Sequence, residues 1–288
     1  MIAVAAFVAG GAASWLLWLG MRRQWEESEV LRRANYRGHL LPIASGVFVV
    51  LAVLGVSGLY FCWTRWGGIS PAEANRGATL LAGGTLGFGF IGLLDDLVGS
   101  GSPGSSSTRG FAGHLGALRH GRVTTGLVKL IGGGVLALVT APFTDGTADL
   151  VRGTLLVALT ANLLNLFDRA PGRAIKVSLI GALVVAVAGA PGWWLTGPML
   201  VVGAGAGLLV ADLRELCMLG DTGSNVLGAA VGFGLAISLG ATGQWVAVAV
   251  VATGNIASEL VSFSKVIDRV APLRWFDRLG TLAERGSV

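Results

Sequence analysis

An all-helical, polytopic membrane protein is the fold class this chain predicts, on the grounds of composition, the length of its apolar runs and the distribution of its cations. Of 288 residues, 53% are hydrophobic and 13% charged, with a mean hydropathy of +0.72. Soluble domains carry about 25% charged residues. Apolar runs of about 20 residues, the length that crosses a bilayer as a helix, recur along the sequence. Helices satisfy their own backbone hydrogen bonds in lipid, so they are the expected element. One integral-membrane domain over residues 1–288 follows. The 46 glycines suit close helix packing, although GC-rich codon usage would give the same count.

In chain order, the first apolar segment covers residues 1–20. Arg22 and Arg23 come after it rather than before, so it reads as a retained helix and not a secretory signal. A second helix is expected over 42–63 and a third over 77–96, followed by the longest polar stretch, 97–124. There SGSPGSSS reads as a linker, and GFAGHLGALRHGRVTTGLVK as room for a short interfacial helix. Further helices are expected over 125–142, 147–167, 175–190, 194–211, 223–240 and 244–264, making about nine spans. The N-terminus then lies outside and the C-terminus in the cytoplasm. Cytoplasmic loops fall at about 21–41, 97–124, 168–174 and 212–222, with a basic tail over 265–288.

Cation placement tests that alternation independently. The segments assigned to the inner side hold 18 of the 21 Lys and Arg, leaving Arg65, Arg76 and Arg152 outside. The net charge of +5 therefore reflects topology and not nucleic-acid binding. Cys62 and Cys217 fall at opposite faces and are expected as free thiols, and His39, His114 and His120 are scattered without zinc spacing.

The same topology brings four carboxylates to the inner face. Asp95 and Asp96 end the run GTLGFGFIGLLDD, Asp168 ends ANLLNLFD, and Asp221 lies in LGDTGS. A charge at bilayer depth costs at least about 2.5 kcal/mol on insertion scales, so acids at membrane depth or its edge are functional candidates. Asn162, Asn165 and Asp168 recur every three residues, a stripe that fits the lining of a site. Around Asp221 and Thr222 a loop enters a helix N-terminus, where free N–H groups favour an anion such as phosphate; Asp221 is equally readable there as a plain N-cap. Taken singly, each acid is explained as a cap, a packing residue or an interfacial charge, and four at one face argue against that. Carboxylates beside basic groups suit magnesium-dependent phosphoryl transfer. Nearby arginines suit a diphosphate.

Leu93-Leu94-Asp95-Asp96, Asn162-Leu-Leu-Asn165-Leu-Phe-Asp168 and Gly220-Asp221-Thr222-Gly223-Ser224 resemble, in order and spacing, the motifs of the polyprenyl-phosphate N-acetylhexosamine-1-phosphate transferases. That superfamily includes phospho-N-acetylmuramoyl-pentapeptide transferase. The resemblance spans roughly residues 35–280. Asn35-Tyr36-Arg37-Gly38 is similar to the first cytoplasmic loop, Lys129 stands where the family has a lysine after the acidic pair, and Ala271-Pro272-Leu273 opens what looks like the last loop.

The resemblance implies transfer of a sugar 1-phosphate from a nucleotide diphosphate sugar to a polyprenyl phosphate, for cell-envelope glycopolymer synthesis, by a multi-pass inner (plasma) membrane enzyme whose site faces the cytoplasm. It implies Mg2+ on Asp221, catalytic roles for Asp95, Asp96 and Asp168, and substrate contacts from Asn162, Asn165, Lys129, Arg37, Arg274 and Thr222, in a possible homodimer. Two departures stand out. The family's Gly-x-Asp-Gly after Asp168 is here Arg169-Ala170-Pro171-Gly172, and its C-terminal histidine cluster is replaced by Arg274-Trp275-Phe276-Asp277. The donor is therefore expected to differ from that of the muramoyl-pentapeptide enzyme. The alternatives are a non-catalytic relative that binds lipid phosphate or a partner protein, and a transporter with an acidic ion relay. An internal repeat and acids at mid-membrane would mark the transporter, and the sequence shows neither.

Overall fold

A computed structural model describes residues 1–67, 72–99, 119, 124–141, 146–190 and 192–282. Nine helices of 16 residues or more carry the described chain: α1 (Ile2–Glu27), α2 (Gly46–Gly67), α3 (Ala72–Val98), α4 (Thr125–Thr140), α5 (Thr147–Phe167), α6 (Arg173–Ala188), α7 (Gly192–Leu213), α8 (Gly220–Ser238) and α9 (Ala241–Leu260). Two short helices, α10 (Phe263–Arg269) and α11 (Ala271–Arg278), follow. Among the described residues five helices are long and apolar enough to cross a membrane: α1, α2, α3, α5 and α7. The chain is thus all-α with membrane character. The linker and interfacial helix expected within 97–124 lie almost wholly outside the described residues.

Helix α8 is the axis of the molecule. All but three of its 19 residues are buried, and it packs on α3, α5, α6, α7 and α2. Its composition explains the position: small residues let neighbouring backbones approach. A Cβ at Gly228 would lie 2.5 Å from the Thr160 carbonyl oxygen of α5, and one at Gly232 would collide with that of Leu156. On the other side α1 packs along α7, where the buried Ser14 hydroxyl donates to the Ala204 carbonyl at 2.5 Å.

Several expected boundaries shift, three of them where the surrounding residues show why. The segment 21–41 is not all loop, because α1 continues to Glu27. Trp25 holds that last turn, packing 4.9 Å from Phe48 and donating from its indole to the Ile43 carbonyl at 3.1 Å. A hairpin follows, β1 (Arg32–Ala34) antiparallel to β2 (Leu40–Pro42), so the second helix starts at Gly46 and not at Pro42. At the other end, α9 stops at Leu260, short of the expected 264, and the chain turns by 95° into α10, so the first part of the basic tail is helical. Cys62 and Cys217 are free thiols. Cys217 is buried, and burial pushes its pKa up.

Candidate functional site

Four helix ends meet at one end of the bundle: the last turn of α3, the first turn of α4, the end of α5 and the start of α8. Each carries a polar residue to the junction. Lys129 of α4 pairs with Asp221 of α8 and lies 3.9 Å from Asp95 of α3. Asn165 of α5 donates to the second oxygen of Asp221 at 2.5 Å and to Ser224 at 3.1 Å. Asp95 is itself within hydrogen-bonding reach of Asp221 and Thr125. The side chains of Asp95 and Asp221 stay a quarter exposed, so the cluster opens to the outside.

Asp96, the neighbour of Asp95, points elsewhere. Its two oxygens accept from the backbone N–H of Asp221 (2.9 Å), the N–H of Thr222 (3.0 Å) and the Thr222 hydroxyl (2.6 Å). Asp96 therefore caps α8 from another helix, and both it and Thr222 are buried. The anion expected at this N-terminus is a side chain and not a phosphate, because a carboxylate already meets the N–H groups that would bind one. Asp221, for its part, is not the cap; it sits in the first turn with its side chain directed to Lys129 and Asn165. Gly220 enables the arrangement: its φ is +74°, and a Cβ there would sit 2.6 Å from an oxygen of Asp96. On the far side Arg33 steadies the end of α3, donating to the Asp96 and Leu97 carbonyls at 3.4 and 3.2 Å.

Asp168 follows the last residue of α5 and receives the Gly220 N–H. Burial, and then the charges of Asp212, Asp221 and Asp96, push its pKa well above the usual carboxylate range. It faces a cavity of about 340 Å³ that runs from Asp221 to Asn35 and Tyr36 at the hairpin, walled by Arg169, Asp212 and Glu215. Asp212 is fixed by the Gly172 N–H at 2.9 Å. Glu215, at a left-handed φ of +52°, accepts from Asn35 at 2.9 Å and pairs with Arg37 at 3.3 Å.

Two candidates stand apart from the junction. Asn162 is exposed and donates to Asn255 of α9 at 2.6 Å. Three-residue spacing drifts by about 60° per step on a helix of 3.6 residues per turn, so the stripe Asn162–Asn165–Asp168 spreads over two faces. Arg274 is exposed on α11 and donates to the Asp268 carbonyl at 2.7 Å. Asp212 and Glu215 escaped the sequence reading, yet the signal was there. Asp212 ends the apolar run of α7 as Asp168 ends that of α5.

No protein-family model matches this chain, and no curated protein is significantly similar to it.

Proposed function

We propose that this chain is a membrane phosphoglycosyl transferase, moving a sugar 1-phosphate from a nucleotide diphosphate sugar to a polyprenyl phosphate at the cytoplasmic face. The observation that carries this reading is the junction itself. Asp95, Lys129, Asn165 and Asp221, spread over more than 120 residues of sequence, meet at one end of a bundle of apolar helices beside an open cavity that Asp168, Asp212 and Glu215 also line. The reading includes nine spans with the N-terminus outside, an order that the cation distribution supports.

In the reaction an oxygen of the lipid phosphate bonds to the sugar-bearing phosphorus, the phosphoanhydride breaks and a nucleoside monophosphate leaves. A phosphate monoester has its second pKa near ~6, so it is largely a dianion at neutral pH and the attack needs little help from a base. Lys129 supplies positive charge beside the diphosphate. Asn165 orients Asp221. Asp168 presents a carboxyl to the donor in the cavity, while Asp96 holds the α8 turn in place.

The donor set fits magnesium. Asp95 and Asp221 offer hard oxygens that already converge on a cation, the Lys129 ammonium. Among the described residues no three His, Cys, Asp or Glu gather as a full metal cage. An ion held by these two carboxylates would take its other ligands from water and substrate phosphate, the usual habit of Mg2+. Bound there, it would neutralise charge on the diphosphate.

The test combines purified protein with Mg2+, undecaprenyl phosphate and a panel of UDP-, dTDP-, GDP- and CDP-sugars, scoring nucleoside monophosphate release. Release from one donor, abolished by EDTA and by Asp221→Ala, is expected. A second reading, a non-catalytic relative that binds lipid phosphate, draws on the Lys129–Asp221 pair, since an ammonium fills the gap where an ion would sit. It predicts metal-independent lipid binding and no release from any donor.

A further inference from the structure

Beyond α9 the chain behaves unlike the bundle. It turns by 95° into α10 and continues into α11, so the two short helices run across the end of the molecule. One side of this segment is pinned. Phe263 stacks on Phe167 at 4.8 Å, and Arg173 forks onto Asp277 at 2.6 and 2.8 Å while donating to Ser264 at 2.9 Å. Lys176 donates to the Phe276 and Asp277 carbonyls at 3.1 and 2.7 Å. The far end reaches the hairpin, where Arg37 donates to the Leu282 carbonyl at 3.3 Å.

On the other side no described residue covers the segment. Trp275 is 67% exposed, Leu279 51% and Val270 41%. On α11, Arg274 and Arg278 form one i,i+4 row with Trp275 beside it, and Leu279 follows just past the helix end. On α10, Lys265 and Arg269 are likewise four residues apart, and both are exposed. Of the two acids in the segment, Asp277 is consumed by Arg173, leaving Asp268 beside Arg278 at 3.8 Å. Exposed cations set beside exposed aromatic and aliphatic side chains on short helices are the pattern of a segment lying in a membrane interface. Its place is right for that, because it leaves an apolar helix at nearly a right angle.

We infer that α10 and α11 lie in the headgroup layer and bind anionic phospholipid through Lys265, Arg269, Arg274 and Arg278, with Trp275 and Leu279 inserted beside them. The Arg173–Asp277 fork then ties the lipid surface to the 168–172 turn that walls the cavity. This inference is independent of the transferase reading, since it rests on the tail alone.

Full-length protein in nanodiscs of phosphatidylcholine, or of equimolar phosphatidylcholine and phosphatidylglycerol, tests it by hydrogen exchange over residues 263–282. Greater protection in the anionic discs is expected, falling by about fivefold for each cation removed in Arg274→Gln and Arg278→Gln, and falling with added salt. Unchanged exchange in α9 would show that the variants fold. Equal protection in the two lipids overturns the proposal, and the wild-type protein alone suffices to show it. Protection absent from both would also overturn it, pointing to a protein partner on this face.

Discussion

The two ends of the bundle each hold a polar cluster, and they are built on opposite principles. At the end away from the junction, Arg152 of α5 pairs with Asp149, donates to Gln244 at 2.6 Å and lies 5.9 Å from the Trp245 ring. Gln244 in turn donates to the Ala236 and Leu239 carbonyls at 2.7 and 3.0 Å. One cation, one anion and one amide satisfy one another and the end of α8. At the junction, by contrast, two carboxylates, Asp95 and Asp221, share the single ammonium of Lys129, and the buried Asp96 and Asp168 lie close enough to Asp221 to feel its charge. A balanced cluster fastens helices together. An unbalanced one, open to a cavity, has capacity left for a cation or a ligand.

Substitutions at the two ends should therefore fail in different assays. Asp221→Ala is expected to lower monophosphate release by more than about a hundredfold, as loss of an ion-holding group does, while the melting temperature moves little. Arg152→Ala should do the reverse, costing on the order of 2 kcal/mol as charged hydrogen bonds are lost, with activity per folded molecule unchanged. Release surviving Asp221→Ala, or vanishing in folded Arg152→Ala, would break the contrast.

Within the junction the adjacent acids divide the same way. Asp96→Ala removes the cap of α8 and is expected to cost about 1–2 kcal/mol, seen as a lower melting temperature without substrate. Asp95→Ala should leave melting nearly unchanged and lower activity. If the two variants behave alike, capping and chemistry are not separable here.

Polar residues that end apolar runs were legible in the sequence, and with them the end of the bundle where Asp95, Asp168 and Asp221 collect. Helix positions were legible too, because hydropathy over about 20 residues averages out local detail. What each oxygen touches was not. Asp95 and Asp96 are neighbours in sequence, yet the roughly 100° between successive residues on a helix sends one to Lys129 and the other to α8. The hairpin before α2 was hidden for a different reason: three-residue strands are too short for alternation to show. The turn into α10 depends on Arg173 and Lys176 holding a segment a hundred residues away, which no local pattern encodes.

A smaller effect concerns the raised pKa of Asp168. A carboxyl harder to ionise in the fold than in the unfolded chain contributes its full stability below the unfolded pKa of about 3.9 and loses it as pH rises through the folded value. Asp168→Asn cannot ionise. Relative to wild type it should match at pH ~3.5 and gain stability steadily toward neutrality, read by thermal melting in EDTA. A gap that is constant across this range would mean the burial penalty is met by a partner.

The smallest expected change is at Asn162, and it is informative because Asn165 lies one turn away. Asn162 donates to Asn255, whose own amide donates to the Leu159 and Val251 carbonyls at 3.0 and 2.7 Å. That network ties α5 to α9 and stops short of Asp221. Interhelical hydrogen bonds in membranes average about 0.6 kcal/mol, so Asn162→Ala should shift melting by a degree or two and leave KM for the donor unchanged. Asn165→Ala frees one oxygen of Asp221 and should lower kcat without such a shift. If Asn162→Ala raised the donor KM several-fold instead, the stripe that the three-residue spacing suggests would run along the substrate path, and α9 would belong to the site.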